Sequence, residues 1–172
     1  MKLTKSWLAA AVLAALTGTA QAALVSNADG TVTDTNTNLI WLQDWNVNGI
    51  ENWSTQKAWA EGLDFAGSTD WELPEDSEYR ALFAAYGNLE QVAEFTNVDR
   101  VYWSGTEVIA GSTALFFQPQ FGNGSFLGQG AGLRAVAVRP GDMTAAVPEP
   151  QTLALALLAL GVTVVARRRR PR

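Results

Sequence analysis

From Thr31 onward the chain alternates between a period of two and a period near 3.6. Thr31-Val32-Thr33 and Leu39-Ile40-Trp41-Leu42 read as two strands. The polar run Asp34-Thr35-Asn36-Thr37-Asn38 between them is turn material, so a hairpin is expected. Asn46 to Trp53 follows as a polar loop, flanked by Trp45 and Trp53. Ser54 is placed to cap a helix running to about Ala66, with Ala58, Trp59, Gly62, Leu63 and Ala66 on one face and Gly67 as the stop. A second helix is expected from Asp76 to Tyr86, because Tyr79, Leu82, Phe83 and Tyr86 keep the spacing of a buried stripe. Asp76 and Glu78 fall in its first turn, where the helix dipole favours acids. Leu89 to Phe95 reads as a short helical turn. Val101–Ser104 and Ala114–Phe117 then read as strands. The segment Gly122–Gly132 is so rich in glycine that a long turn or flexible loop is expected. Arg134–Arg139 alternates cleanly, as a half-buried strand would, and Pro140-Gly141-Asp142 ends it.

Two apolar runs lie outside this pattern. Lys2 and Lys5, then Trp7–Leu16, then Ala20-Gln21-Ala22 form the basic, apolar and small-residue regions of a secretory leader. Cleavage is expected after Ala22 by signal peptidase. At the other end, Leu153–Ala166 has 14 residues and no charge. As a helix it would be about 21 Å long, short of the roughly 30 Å hydrocarbon core. Arg167, Arg168, Arg169 and Arg170 can snorkel to headgroups, and they favour the cytoplasmic side. From these features alone the segment reads as a marginal transmembrane helix. Pro148 and Pro150 hold Val147–Pro150 extended.

These C-terminal parts resemble a PEP-CTERM sorting signal: Pro148-Glu149-Pro150, a leucine-rich segment and an arginine cluster. The resemblance implies a membrane exosortase that recognises the motif and removes the tail. It also implies export after transient anchoring in the inner membrane, often alongside exopolysaccharide production. The expected organisation is therefore residues 1–22 as leader, 23–147 as the exported domain and 148–172 as the sorting signal.

Charge looks different once both ends are set aside. Residues 23–147 hold 16 acids against five bases (Lys57, Arg80, Arg100, Arg134 and Arg139), a net −11 compared with −5 for the whole chain. Nucleic-acid binding is disfavoured, since phosphate contacts need basic patches. The chain has no cysteine and no histidine. That removes disulfides, Ser-His-Asp triads, cysteine nucleophiles and His/Cys zinc sites. No cofactor or metal site is expected. Asp34-x-Asn36-x-Asn38 matches the start of a calcium loop, but Leu39 and Trp45 stand where glycine and glutamate are needed, so a plain turn is preferred. Asp70, Glu72, Glu75, Asp76 and Glu78 are dense enough to consider a glycosidase pair or a weak cation site, although a solvated helix start explains them more simply.

Four phrases in order resemble the Lcl C-terminal domain family. They are Thr33–Trp41, Gly67–Pro74 with Glu78, Tyr102–Glu107 and Ala137–Asp142. The resemblance implies an α+β fold similar to C-type-lectin-like domains and formylglycine-generating enzymes, with one twisted antiparallel sheet, two helices and long loops. Two positions depart from the family pattern: Glu72 replaces an arginine, and Glu75 replaces a threonine that would cap the helix better. The formylglycine chemistry needs active-site cysteines, which are absent.

Trp41, Trp59, Trp71 and Trp103 lie in or beside predicted elements and are expected in the core. Trp45 and Trp53 flank a polar loop and are the first candidates for stacking on a ligand. Phe121 and Phe126 in the glycine-rich segment are a second pair. The expected function is a non-enzymatic surface or extracellular-matrix module that contacts glycan or protein. The rivals are a secreted carboxylate-dependent carbohydrate-active enzyme and a purely structural matrix protein.

Overall fold

The computed structural model describes residues 23–141, so the expected leader and the sorting signal lie outside the described residues. The predicted hairpin forms. Strand β2 (Thr31–Asp34) pairs antiparallel with β3 (Leu39–Leu42), with Val32 opposite Trp41. The buried Asp34 carboxylate holds the turn. It accepts from the Asn36 N–H at 2.9 Å, from the Thr37 hydroxyl at 2.6 Å and from the Tyr86 hydroxyl at 2.7 Å. Asn38 takes the left-handed φ of 56° that closes the turn, a conformation asparagine tolerates. On one side β2 pairs with β1 (Leu24–Ser26), and on the other β3 pairs with β7 (Val138–Pro140).

The single sheet implied by the resemblance is instead two. The first has the order β1-β2-β3-β7. The second joins β4 (Tyr102–Ile109), β5 (Thr113–Gln118) and β6 (Asn123–Gly128) in antiparallel order. With two helices, α1 (Trp53–Glu61) and α2 (Asp76–Tyr86), the class is α+β.

Three local expectations change. Helix α1 is capped by Asn52, whose side chain accepts the Thr55 N–H at 3.0 Å, and it ends at Glu61. Its buried face is Trp53, Gln56 and Ala60, while Ala58 is exposed. A polar residue at the centre of that face concealed it from a hydrophobic reading. The glycine-rich segment holds strand β6. Gly122 and Gly124 are there for close approach: a Cβ at Gly122 would overlap the Phe83 ring, and one at Gly124 the Phe116 carbonyl. Finally, Ala135–Val138 is buried throughout, and only Val138–Pro140 is strand. The segment runs between the sheets, receiving the Trp103 N–H on the Arg134 carbonyl (2.8 Å) and the Leu42 N–H on that of Ala137 (3.1 Å). Both faces are covered, so half-burial does not apply.

Helix α2 spans the expected residues, with Tyr79 and Leu82 fully buried. Glu75 sits at its N-cap. The Glu78 carboxylate accepts the Glu75 N–H at 2.8 Å, and the Glu75 carboxylate accepts the Thr106 hydroxyl. Glu75, standing where the resemblance implies a threonine, thus has a partner on β4. The core is aromatic. Trp41 stacks on Trp45 (5.9 Å, 13°), Tyr79 stacks on Phe117 (4.8 Å, 9°) and Tyr102 meets Trp45 edge-on (5.1 Å).

Candidate ligand-binding face

The structure corrects the first candidate pair. Trp45 is 0% exposed, enclosed by Trp41, Tyr79, Phe95 and Tyr102. Trp53 is 7% exposed and donates its indole N–H to the Ser104 carbonyl at 2.8 Å. Neither ring presents a face to a ligand. The reason is that the loop between them is fastened down. Buried Gln56 donates to the carbonyls of Gly49 and Leu133 at 3.0 Å each and accepts from the Asn48 amide. Glu51 and Leu133 exchange backbone hydrogen bonds, and Arg134 donates to both Asn46 and Asp99. Leu133 and Arg134, which hold the loop from outside, are far away in sequence, so a polar composition alone read as a free loop.

Phe121 and Phe126 behave differently, with 62% and 60% of their surfaces exposed. Phe121 lies in the β5–β6 turn, where the carbonyl of Gln118 accepts the N–H groups of Phe121 and Gly122. Phe126 sits opposite Leu115, and Thr113 sits opposite both Ile109 and Gly128. Because alternate residues share a face, the register puts Ile109, Leu115 and Phe126 on one side of the second sheet. Phe117 is on that side too, buried under Tyr79 of α2. The apolar strip therefore starts beneath α2 and emerges into solvent. Ile109 was missed in the sequence because strand β4 was expected to end at Ser104. Leu115 fell inside an expected strand, but only its pairing with Phe126 shows which face it shares.

The stretch that forms this region carries no charge of its own, while the Glu107 carboxylate reaches its border at Gly111 and Gln129. No charged residue occurs from Val108 to Leu133, although the domain carries −11. Exposed apolar and aromatic groups on a neutral, amide-bearing surface are suited to neutral ligands.

The carboxylates are employed elsewhere. Asp76 pairs with Arg80 at 2.5 Å, and Glu75 and Glu78 hold the α2 N-terminus. Partial burial, with the charges of Glu72 and Glu75 nearby, raises the Glu78 carboxyl above its ordinary value. The Arg100 N–H and then the Arg134 guanidinium lower that of Asp99, and the Gly111 N–H and Gln129 amide lower that of Glu107. Among the described residues no three His, Cys, Asp or Glu side chains group in a way that could hold a metal ion. Nor is any described helix long and apolar enough to cross a membrane; the predicted transmembrane segment lies outside those residues.

Comparison with known proteins gives this architecture its family. The Lcl C-terminal domain model matches residues 30–140, and the chain belongs to that family. The PEP-CTERM protein-sorting motif matches residues 146–170. The chain is thus an exported, membrane-transiting protein that is sorted and processed by exosortase. No curated protein matches it.

Proposed function

We propose that this protein is a non-enzymatic binding module of C-type-lectin-like fold, acting at the cell surface or in the extracellular matrix. Its ligand is a neutral glycan or a protein, held against the open face around Phe126, Leu115 and Ile109, with Phe121 at the neighbouring turn. The observation that carries this reading is the exposure of two phenylalanines on the one long uncharged stretch of an acidic domain. Phenylalanine rings can stack on the apolar faces of sugars, and nearby amides such as Gln118 and Asn123 can supply hydrogen bonds. Anionic polymers and nucleic acid would meet repulsion over the rest of the surface. The carboxylate-enzyme reading is weakened because Glu75, Asp76 and Glu78 are tied into capping and ion-pair contacts.

The test is binding of the exported protein to a glycan array and to matrix extract. Binding by the native protein should weaken about tenfold in Phe126→Ala, the size of a central contact residue. Retention of all binding in Phe126→Ala and Phe121→Ala would remove this face. Binding to neither glycan nor matrix would remove the ligand and favour a structural role. Polysaccharide turnover lost on Glu→Gln or Asp→Asn substitution would favour the enzyme.

A further inference from the structure

A strand at the edge of a sheet offers unpaired backbone groups to any other strand, and folded proteins ordinarily blunt such edges. Three of the four edges here are blunted. Strands β1 and β7 have three residues each, and β7 carries Arg139 and Pro140. Strand β4 has two register shifts, bears Glu107, and is bridged at Tyr102 by Arg134. Strand β6 has none of these devices. It pairs with β5 over six consecutive residues without a register shift, from Gly128 opposite Thr113 to Asn123 opposite Gln118. It contains no charge and no proline. Among the described residues no other strand pairs with its outer side, where only the Gly128 carbonyl at its end accepts a turn N–H, from Ala131.

We propose that β6 pairs antiparallel with β6 of a second copy of this chain, joining two three-stranded sheets into one of six strands. Charge selects this occupant. Two domains of −11 repel over most of their surfaces, but β6 itself carries no charge. The Glu107 carboxylate beside its Gly128 end is held by the Gly111 N–H and the Gln129 amide, and antiparallel pairing sets that end against the uncharged Asn123 end of the other copy. A basic peptide would be drawn to the acidic surfaces instead. Antiparallel pairing of a strand with its own copy also satisfies a two-fold axis, the commonest symmetry of a homodimer. The pairing uses the strand's edge and leaves the Phe126 face free, so it stands apart from the proposed ligand.

Sedimentation of the exported protein over a range of concentrations tests this. The native protein should show a reversible monomer–dimer equilibrium. Ser125 is exposed near the middle of β6, so Ser125→Glu and Ser125→Lys each place like charges across the two-fold axis. Each should weaken dimerisation about fivefold. An equimolar mixture of the two variants should dimerise at least as well as the native protein, which also shows that both variants fold. A native protein that is monomeric throughout would overturn the proposal. So would variants that dimerise as tightly as native. A monomer whose β6 amides gain exchange protection only with matrix extract would assign the edge to a foreign strand, also overturning it.

Discussion

The indole N–H of Trp53, the first residue of α1, meets the carbonyl of Ser104 on β4 at 2.8 Å in a buried setting. This one contact fixes the helix against the second sheet and turns a candidate ligand ring into a structural one. Trp53→Phe keeps most of the ring but leaves the Ser104 carbonyl without that donor. It should cost about 1–3 kcal/mol, the penalty for a buried unsatisfied group. Trp53→Ala should cost about 3–5 kcal/mol through lost packing. Urea unfolding of the variants measures both, and an unchanged midpoint for Trp53→Ala would contradict the assignment.

Gly122 and Phe83 form a second dependence, between the β5–β6 turn and α2. Gly122 has φ 70°, and a Cβ there would overlap the Phe83 ring. Gly122→Ala should therefore destabilise by about 1–3 kcal/mol, from overpacking together with left-handed backbone strain. The two causes separate in a double-mutant cycle. In a Phe83→Ala background the overlap disappears, so the further cost of Gly122→Ala should fall to the backbone share alone. Equal costs in both backgrounds would mean the ring does not restrict the turn.

How far the sequence revealed this fold depended on whether each element's partners were local. Helix α2 was legible because Tyr79, Leu82, Phe83 and Tyr86 declare one face and need no distant partner to be recognised. The β2–β3 hairpin was legible because its turn chemistry lies within five residues. Helix α1 was misread because Gln56 is buried through hydrogen bonds to Gly49 and Leu133, one of which is remote in the chain. Strand β6 was read as loop because Gly122 in the turn before it and Gly124 within it answer to Phe83 and Phe116, contacts visible only after folding. The candidate face divided in the same way. Phe121 and Phe126 could be named, while Ile109 and Leu115 could be joined to them only through the register of the sheet.

Processing at the C-terminus has a direct readout. The Pro148-Glu149-Pro150 motif lies within the matched sorting signal at residues 146–170. Intact-mass spectrometry of the exported protein should find a chain without Arg167–Arg170, ending in the region of that motif. Pro148→Ala with Pro150→Ala would let the segment become helical, and the uncut precursor should accumulate in the membrane fraction. Export of a full-length chain that retains the arginines would contradict removal of the tail.

Glu78 gives the domain a pH dependence of unusual sign for a carboxylate. Its pKa is raised first by partial burial and then by the charges of Glu72 and Glu75, against the lowering effect of the Glu75 N–H it accepts. A raised folded-state value means that the folded protein holds this proton more tightly than the unfolded chain does. Stability from this group is therefore greatest while it is protonated. It declines as pH rises from the unfolded carboxylate range through the folded value. Asp99 and Glu107, whose values are lowered, contribute slopes of the opposite sign. Comparison with Glu78→Gln isolates the effect, because glutamine keeps an acceptor for the Glu75 N–H and loses only the charge. The variant should equal or exceed the native protein in stability at neutral pH, and the difference should shrink on acidification. Thermal melts at several pH values measure it. A variant that is less stable at neutral pH and level with native in acid would show that the ionised carboxylate strengthens the α2 cap.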